Sequence, residues 1–130
     1  MRQIGFDFHK EIEEEIASHA AIAAAHHAKS TFYELYSTDY QPSTDLTWED
    51  WDLSAIIPMG TIAVLVLCIQ IGTGNENVGI RNNGSNLNRR RYIAPRAPLL
   101  ATTPVGADRI IECYGSVALD AVFQVWGYWI

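Results

Sequence analysis

The chain has 130 residues, 48% of them hydrophobic, which is enough to bury the core of one domain of ordinary size. Its formal net charge is −6, because acidic residues outnumber Lys and Arg by 15 to 9. A general nucleic-acid binder needs an excess of basic residues to neutralise phosphates, so we expect no nucleic-acid partner. The start of the sequence lacks the pattern of a secretory signal, and no apolar run reaches the ~20 residues that a membrane span needs.

Residues 9–29 are predicted to form an α-helix, because they are rich in Ala and Glu and contain no Gly or Pro. A narrow seam recurs along this helix at steps of three and four residues, as in the a and d positions of a coiled coil. The seam residues are Ile12, Ile16, His19, Ile22, Ala23 and His26. We interpret residues 1–29 as an N-terminal oligomerisation helix that forms a bundle with copies of itself. The alternative is a single helix that packs on the β domain of its own chain.

Two seam histidines, His19 and His26, are seven residues apart and occupy the same seam position. In a symmetric bundle each would meet its copies at the axis, where imidazoles can bind a metal or an anion or respond to pH. Alternatively, they are polar layers that fix the register of the helices. We predict no metal site and name these two histidines as the candidates if one exists.

Residues 30–50 are polar and are predicted to be a linker that lies on a surface through its tyrosines. Trp48 and Trp51 follow at a spacing that does not fit one strand face, so we expect one in the core and the other exposed or at an interface. The aromatic residues Trp48, Trp51, Tyr36 and Tyr40 are candidate ligand-binding residues, as platforms on which sugar rings stack.

Residues 51–130 are predicted to form an antiparallel, jelly-roll-like β-sandwich. Residues 61–71 are apolar on both faces and rich in β-branched side chains, which predicts a central strand. The Asn-Gly pair within residues 82–85 predicts a hairpin turn of type I′, and the arginines of residues 86–93 suit an edge strand. Residues 121–128 are bulky on both faces, so this last strand is expected to be buried or covered by a neighbouring subunit.

The sequence shows no arrangement typical of catalysis. Cys68 and Cys113 lie inside apolar runs, which favours buried free thiols over a disulfide. The four histidines lie in the helical segment, far in sequence from any activated nucleophile, and no glycine-rich loop matches a nucleotide-binding fingerprint. We therefore expect neither an enzyme nor a cofactor.

Several segments together resemble tail-fibre and related virion appendage proteins of tailed phages. Residues 16–29 resemble their "HAxIAxAHHxK" helical segments. Residues 53–65 resemble the "LSxx(V/I)PxGxxAVL" opening of their small β-sandwich domain, and residues 81–84 resemble its "RxxG" hairpin. Residues 125–129 resemble its "VxGYW" ending.

The resemblance implies a non-enzymatic structural protein of a virion: a small phage tail fibre, a head fibre or a capsid-decorating subunit. Such proteins are usually homotrimers in which the helices form a coiled-coil stalk and the sandwiches form a head. The implied partners are copies of itself, other virion proteins and a host-surface glycan used for host attachment. The implied location is the virion, assembled in the host cytoplasm and exposed on the particle. The alternatives are a glycan-binding β-sandwich module and a subunit of a repeating extracellular filament.

Overall fold

The structure is a computed structural model, and it describes residues 30–130. The predicted oligomerisation helix and its seam lie outside the described residues, and so do the two candidate metal-binding histidines, His19 and His26. The helical bundle and its stoichiometry therefore stay predictions.

The described residues form a β-sandwich of two antiparallel four-stranded sheets. The strands are β1 (Phe32–Glu34), β2 (Thr47–Asp52), β3 (Ala63–Gln70), β4 (Glu76–Asn82), β5 (Arg90–Ile93), β6 (Pro98–Pro104), β7 (Ile110–Gly115) and β8 (Ala121–Trp129). The first sheet has the order β1-β8-β3-β6 and the second β2-β7-β4-β5. The first strand thus pairs with the last, the second with the seventh, the third with the sixth and the fourth with the fifth, which is the nested pairing of a jelly roll. The prediction of a mainly β antiparallel sandwich is confirmed.

The segment predicted as a linker, residues 30–50, is instead part of the first and second sheets. It contains β1 and the start of β2, and between them Tyr40 forms an isolated bridge with Phe123. The backbone makes these contacts: for example, the amide of Leu35 donates to the carbonyl of Trp126 at 3.0 Å. The side chains of β1 are all exposed, so its residues show no apolar alternation by which a pattern could reveal the strand. The β domain begins at Phe32 and not at residue 51.

Strand β3 is an interior strand of the first sheet, as predicted. Its inward side chains Val64, Val66 and Cys68 are buried in a core built from both sheets. Cys113 of β7 reaches the same core, and both cysteines are free thiols, which confirms that prediction. Burial raises the pKa of Cys68 to about 12.

The predicted turn after β4 is present, but the strand that follows returns later than expected. The Ser85 amide donates to the Asn82 carbonyl, and of the two central residues only Gly84 has a positive φ, 78°, so the turn is not of type I′. Pairing resumes at Arg90, because Arg81 donates to the carbonyl of Leu87 at 3.0 Å and holds the intervening loop. Strand β5 is an edge strand with exposed arginines, as predicted.

Candidate functional site: the outer face of the first sheet

The outer face of the β1-β8-β3-β6 sheet is apolar and carries almost no charge. Strands β3, β6 and β8 contain no charged residue, and β1 contains only Glu34. The outward side chains include the polar Glu34, Thr102 and Gln124. We call the apolar ones the apolar face, and they are Phe32, Leu65, Leu67, Ile69, Leu100, Val122, Trp126 and Trp129. Of these, Leu100 is 55% exposed, Phe32 39% and Trp126 38%. Apolar side chains that are contiguous and open to solvent on this scale mark interaction sites.

A β-bulge in β8 shapes the centre of this face. The register shifts between Leu65 and Val66, so that Trp126 and Gly127 together oppose Leu65. A bulge of this kind re-aims the side chain of the extra residue, and here it leaves Trp126 exposed on the outer face. A Cβ added to Gly127 would collide with the ring of Phe32, so the missing side chain is what lets that ring lie flat against β8.

Beside the bulge lies an aromatic hollow of about 650 Å³. Its lining residues are Phe32, Glu34, Leu35, Tyr36, Leu65 and Trp126. Tyr36 is 73% exposed, and Gln124 donates to its hydroxyl at 3.3 Å. The same Gln124 amide donates to Asp39 Oδ1, and the Trp126 indole donates to Gln124 Oε1 at 3.1 Å. The hollow therefore has apolar walls and a rim of polar groups that are already oriented.

The sequence-predicted ligand-binding residues do not come together in one site. Trp51 is buried, and its ring stacks on Tyr40 at 4.9 Å with an interplanar angle of 9°. The Tyr40 hydroxyl donates to the carbonyl of Asp50, and burial, with the nearby Glu49 carboxylate, raises the pKa of Tyr40 to about 12. These two rings stack on each other and offer no open platform. Their binding role stays a prediction.

The outer face of the second sheet also carries aromatic side chains, and arginines cover two of them, whereas Tyr92 of the edge strand β5 stays 65% exposed. The guanidinium of Arg81 lies 4.1 Å from the centroid of the Trp48 ring, and that of Arg90 lies 4.8 Å from the Tyr114 ring. Arg81 also forms an ion pair with Glu112 at 2.7 Å. Trp51 is thus the core residue of the predicted pair, and Trp48 lies half-buried under Arg81.

Of the predicted site residues, only Tyr36 lies in the aromatic hollow. Sequence reasoning did not single out Trp126, Phe32 or Leu100 as site residues. Two signals were available for them: the absence of charge from β6 and β8, and the bulk on both faces of β8 that predicted a neighbouring subunit. The bulge that exposes Trp126 leaves no sequence signal, because it arises from register.

Within residues 30–130, no group of three or more His, Cys, Asp and Glu side chains is placed to hold a metal ion. The same residues contain no helix long and apolar enough to cross a membrane.

No protein-family model and no curated protein matches this chain. Among solved structures, the chain is similar to the Tobacco streak virus coat protein, with 13% sequence identity over 78% of this chain and 83% of that chain and a TM-score of 0.45. A structure of the Tobacco streak virus coat protein dimer gives 12% identity, coverage of 78% and 82%, and a TM-score of 0.44. Both are viral coat protein structures and neither is a phage tail fibre. Scores at this level establish neither a common fold nor a function for this chain.

Proposed function

We propose that this chain is a non-enzymatic structural subunit of a virion that assembles by burying its apolar face against a second copy. The observation that carries the proposal is the outer face of the first sheet, where Leu100, Phe32 and Trp126 are exposed and β3, β6 and β8 carry no charge. A surface on which the strands contribute one charge, that of Glu34, offers little to orient a charged partner, whereas an identical apolar surface matches it. A two-fold axis brings the same patch of two copies together.

The energetics favour such a contact. Burying an exposed Leu or Phe side chain contributes roughly 1.5–3 kcal/mol, and aromatic residues dominate the energy of protein interfaces. Charged residues are depleted at the cores of interfaces, as they are on this face. The polar groups of Gln124 and Tyr36 stand at one side of the face, where a polar rim is expected.

The particular kind of structural protein that we propose is a small appendage or capsid-decorating subunit. Its support is the resemblance of residues 16–29 and 53–65 to phage appendage proteins, together with a jelly-roll architecture of the kind that viral capsid proteins use. Residues 1–29 would supply a separate self-contact, a trimeric bundle. Two different self-contacts on one chain join oligomers into a closed dihedral assembly or into a repeating array. Other virion proteins are the further partners.

The test is the mass of the full chain in solution, by sedimentation velocity over a range of protein concentrations. The double variant L100D/W126D places two charges in the apolar face. We expect it to raise the Kd of this contact at least about 100-fold and to leave smaller species at every concentration. The matched control is Y92D, because Tyr92 is 65% exposed but lies on the outer face of the second sheet. Equal masses for the wild type and L100D/W126D, or a wild type that stays monomeric at micromolar concentration, would overturn the proposal.

A glycan-binding module is the second candidate, and the aromatic hollow favours it. Tyr36 and Trp126 offer ring faces on which a sugar can stack, and Glu34, Asp39 and Gln124 stand close by as hydrogen-bonding groups. We expect Y36A to abolish binding on a glycan array and Y92A to preserve it. Failure of the wild type to bind any sugar on a broad array would exclude this candidate.

A further inference from the structure

Two polar side chains close one end of the sandwich interior. Gln70 is the last residue of β3 and is 0% exposed, and Glu76 is the first residue of β4 and is 3% exposed. Gln70 lies on the same inward face of β3 as the buried Cys68, and Glu76 lies on the same inward face of β4 as the buried Val78. A carboxyl group and an amide at the end of an apolar core both need partners, because an unpaired buried polar group is costly.

Each of these side chains is anchored by one atom and leaves one oxygen without a partner. The Gln70 amide nitrogen donates to the carbonyl of Gly74, and its Oε1 is buried with no hydrogen bond. Glu76 Oε1 accepts from the backbone amide of Val117 at 2.9 Å, and its Oε2 is likewise buried and unpaired. Unpaired buried oxygens of this kind are uncommon in native proteins, and each of them calls for a physical explanation such as a bound ion.

A second carboxylate converges on the same place. A Cβ added to Gly72 would collide with Asp120 Oδ2 and come within 3.1 Å of Glu76 Oε2. The two carboxylate oxygens therefore flank one small space, which exists because Gly72 has no side chain. The Asp120 carbonyl accepts from the amide of Ile71 at 2.7 Å, which fixes Asp120 next to this loop. We call Glu76 and Asp120, together with the unpaired oxygen of Gln70 two residues before Gly72, the oxygen cluster.

No cation of the described chain compensates this cluster. The ion pair recorded for residues 30–130 joins Arg81 to Glu112, on the outer face of the second sheet. Burial raises the pKa of the Glu76 carboxyl, the hydrogen bond from Val117 lowers it, and the neighbouring Asp120 carboxylate raises it again. Buried charges in proteins are paired or coordinate metals, and no basic side chain of residues 30–130 forms an ion pair with these.

We propose that the oxygen cluster binds a divalent cation, and that Ca²⁺ fits it best. The donors are two carboxylates and an amide oxygen, which are the ligands of hard cations, and Ca²⁺ accepts six to eight oxygens in irregular geometry whereas Mg²⁺ requires a near-ideal octahedron. Two carboxylates are fewer than a high-affinity site uses. Water completes the coordination, and we expect a Kd on the order of 10⁻⁴–10⁻³ M, the range of extracellular calcium modules.

The cation would join strands of both sheets at one end of the sandwich. Gln70 and Asp120 belong to β3 and to the turn before β8 in the first sheet, and Glu76 begins β4 in the second. A ligand that binds only the folded state stabilises it in proportion to its saturation. We therefore expect 10 mM Ca²⁺ to raise the Tm of the full chain by about 5 °C.

The experiment is a thermal-unfolding and calorimetric titration of the EDTA-treated full chain with CaCl2, with MgCl2 and NaCl at matched ionic strength as references. The variants E76Q and D120N should each weaken Ca²⁺ binding at least tenfold. Because E76Q removes an uncompensated buried carboxylate, it should also be at least as stable as the wild type without Ca²⁺. D50N is the control, since Asp50 is an exposed carboxylate on β2, away from the cluster.

Two results would overturn the proposal. One is the absence of any Ca²⁺ effect beyond that of NaCl, which would mean that a proton or a water occupies the cluster. The other is equal weakening in D50N and E76Q, which would mean that Ca²⁺ binds the acidic surface without a site. Neither result depends on whether the apolar face assembles, because the titration is read on L100D/W126D as well as on the wild type.

Discussion

The outer faces of the two sheets both carry aromatic residues, and in the second sheet arginines lie over two of the rings. In the second sheet, Arg81 lies over Trp48, and Arg90 lies over Tyr114 and donates to its hydroxyl at 2.9 Å. In the first sheet, no guanidinium from residues 30–130 lies over Trp126 or Phe32, and both stay open to solvent. The outer face of a sheet can stay in water if polar groups cover its apolar side chains. Two rings of the second face are covered in this way within the chain, whereas we propose that a second copy covers the first face.

The distribution of charge produces this difference. The arginines of β4 and β5 supply the cover of the second sheet, while β3, β6 and β8 contribute no long basic side chain to the first. An arginine packs its apolar stem on a ring and keeps its charge in water, so it can cover an aromatic ring and present a polar group to solvent. Arg81→Ala and Arg90→Ala remove arginines that cover the second sheet, and Gly127→Ala disturbs the open face of the first sheet.

The largest effect on stability is expected from Arg81→Ala. The change uncovers Trp48, leaves the Glu112 carboxylate without its ion pair and frees the loop held through Leu87. Side-chain exposures of 15% and 10% show that the ion pair is largely buried, so we expect a loss of about 3 kcal/mol in the free energy of unfolding, measured in urea. The control is Arg96→Ala, an exposed arginine outside this contact. A loss below about 1 kcal/mol would show that the cover contributes little.

A smaller loss, about 1–3 kcal/mol, is expected from Gly127→Ala on the open face. The new Cβ would overlap the Phe32 ring and approach the carbonyl of Tyr33 at 2.9 Å, so β1 must shift away from β8. Hydrogen exchange should then be faster at Leu35 and Ser37, whose amides donate to β8. Gly106→Ala is the matched control, because its Cβ would meet its nearest neighbour at an ordinary 3.5 Å. Unchanged exchange at Leu35 and Ser37 would contradict the close approach of Phe32.

The smallest effect is expected from Arg90→Ala. Arg90 is exposed, so its cation–π contact with the buried Tyr114 ring contributes about 0.5–1 kcal/mol and its hydrogen bond to the Tyr114 hydroxyl about as much again. Stability should therefore fall by about 1–2 kcal/mol. The variant nevertheless exposes Tyr114 and makes the second face more like the first. We therefore expect the double variant R81A/R90A to bind the dye ANS more strongly than the wild type, with R89A as the control. Equal ANS binding by R81A/R90A and the wild type would show that the two arginines do not shield these rings from solvent.

Much of the sandwich could be predicted from residue patterns, and the parts that could not depend on pairing. The apolar run through β3 and the buried thiols of Cys68 and Cys113 were predictable because burial on the inner face of a sheet and half-burial on the outer face both select apolar residues. Strand β1 was predicted as linker because its pairing with β8 uses backbone groups, which every residue carries. The aromatic ligand site was placed on Trp51 and Tyr40, which stack on each other, because a sequence shows that rings are present but not what covers them.

The sequence by itself determined that residues 51–130 form β-structure with a central apolar strand, since the period and branching of side chains decide local conformation and burial. Only the tertiary structure decided which apolar residues stay outside. The bulge that exposes Trp126, the arginines that lie over Trp48 and Tyr114, and the meeting of Glu76 with Asp120 all join residues distant in sequence. Such contacts depend on strand register and on which distant segments of the chain pack together, and neither can be read from a local residue pattern.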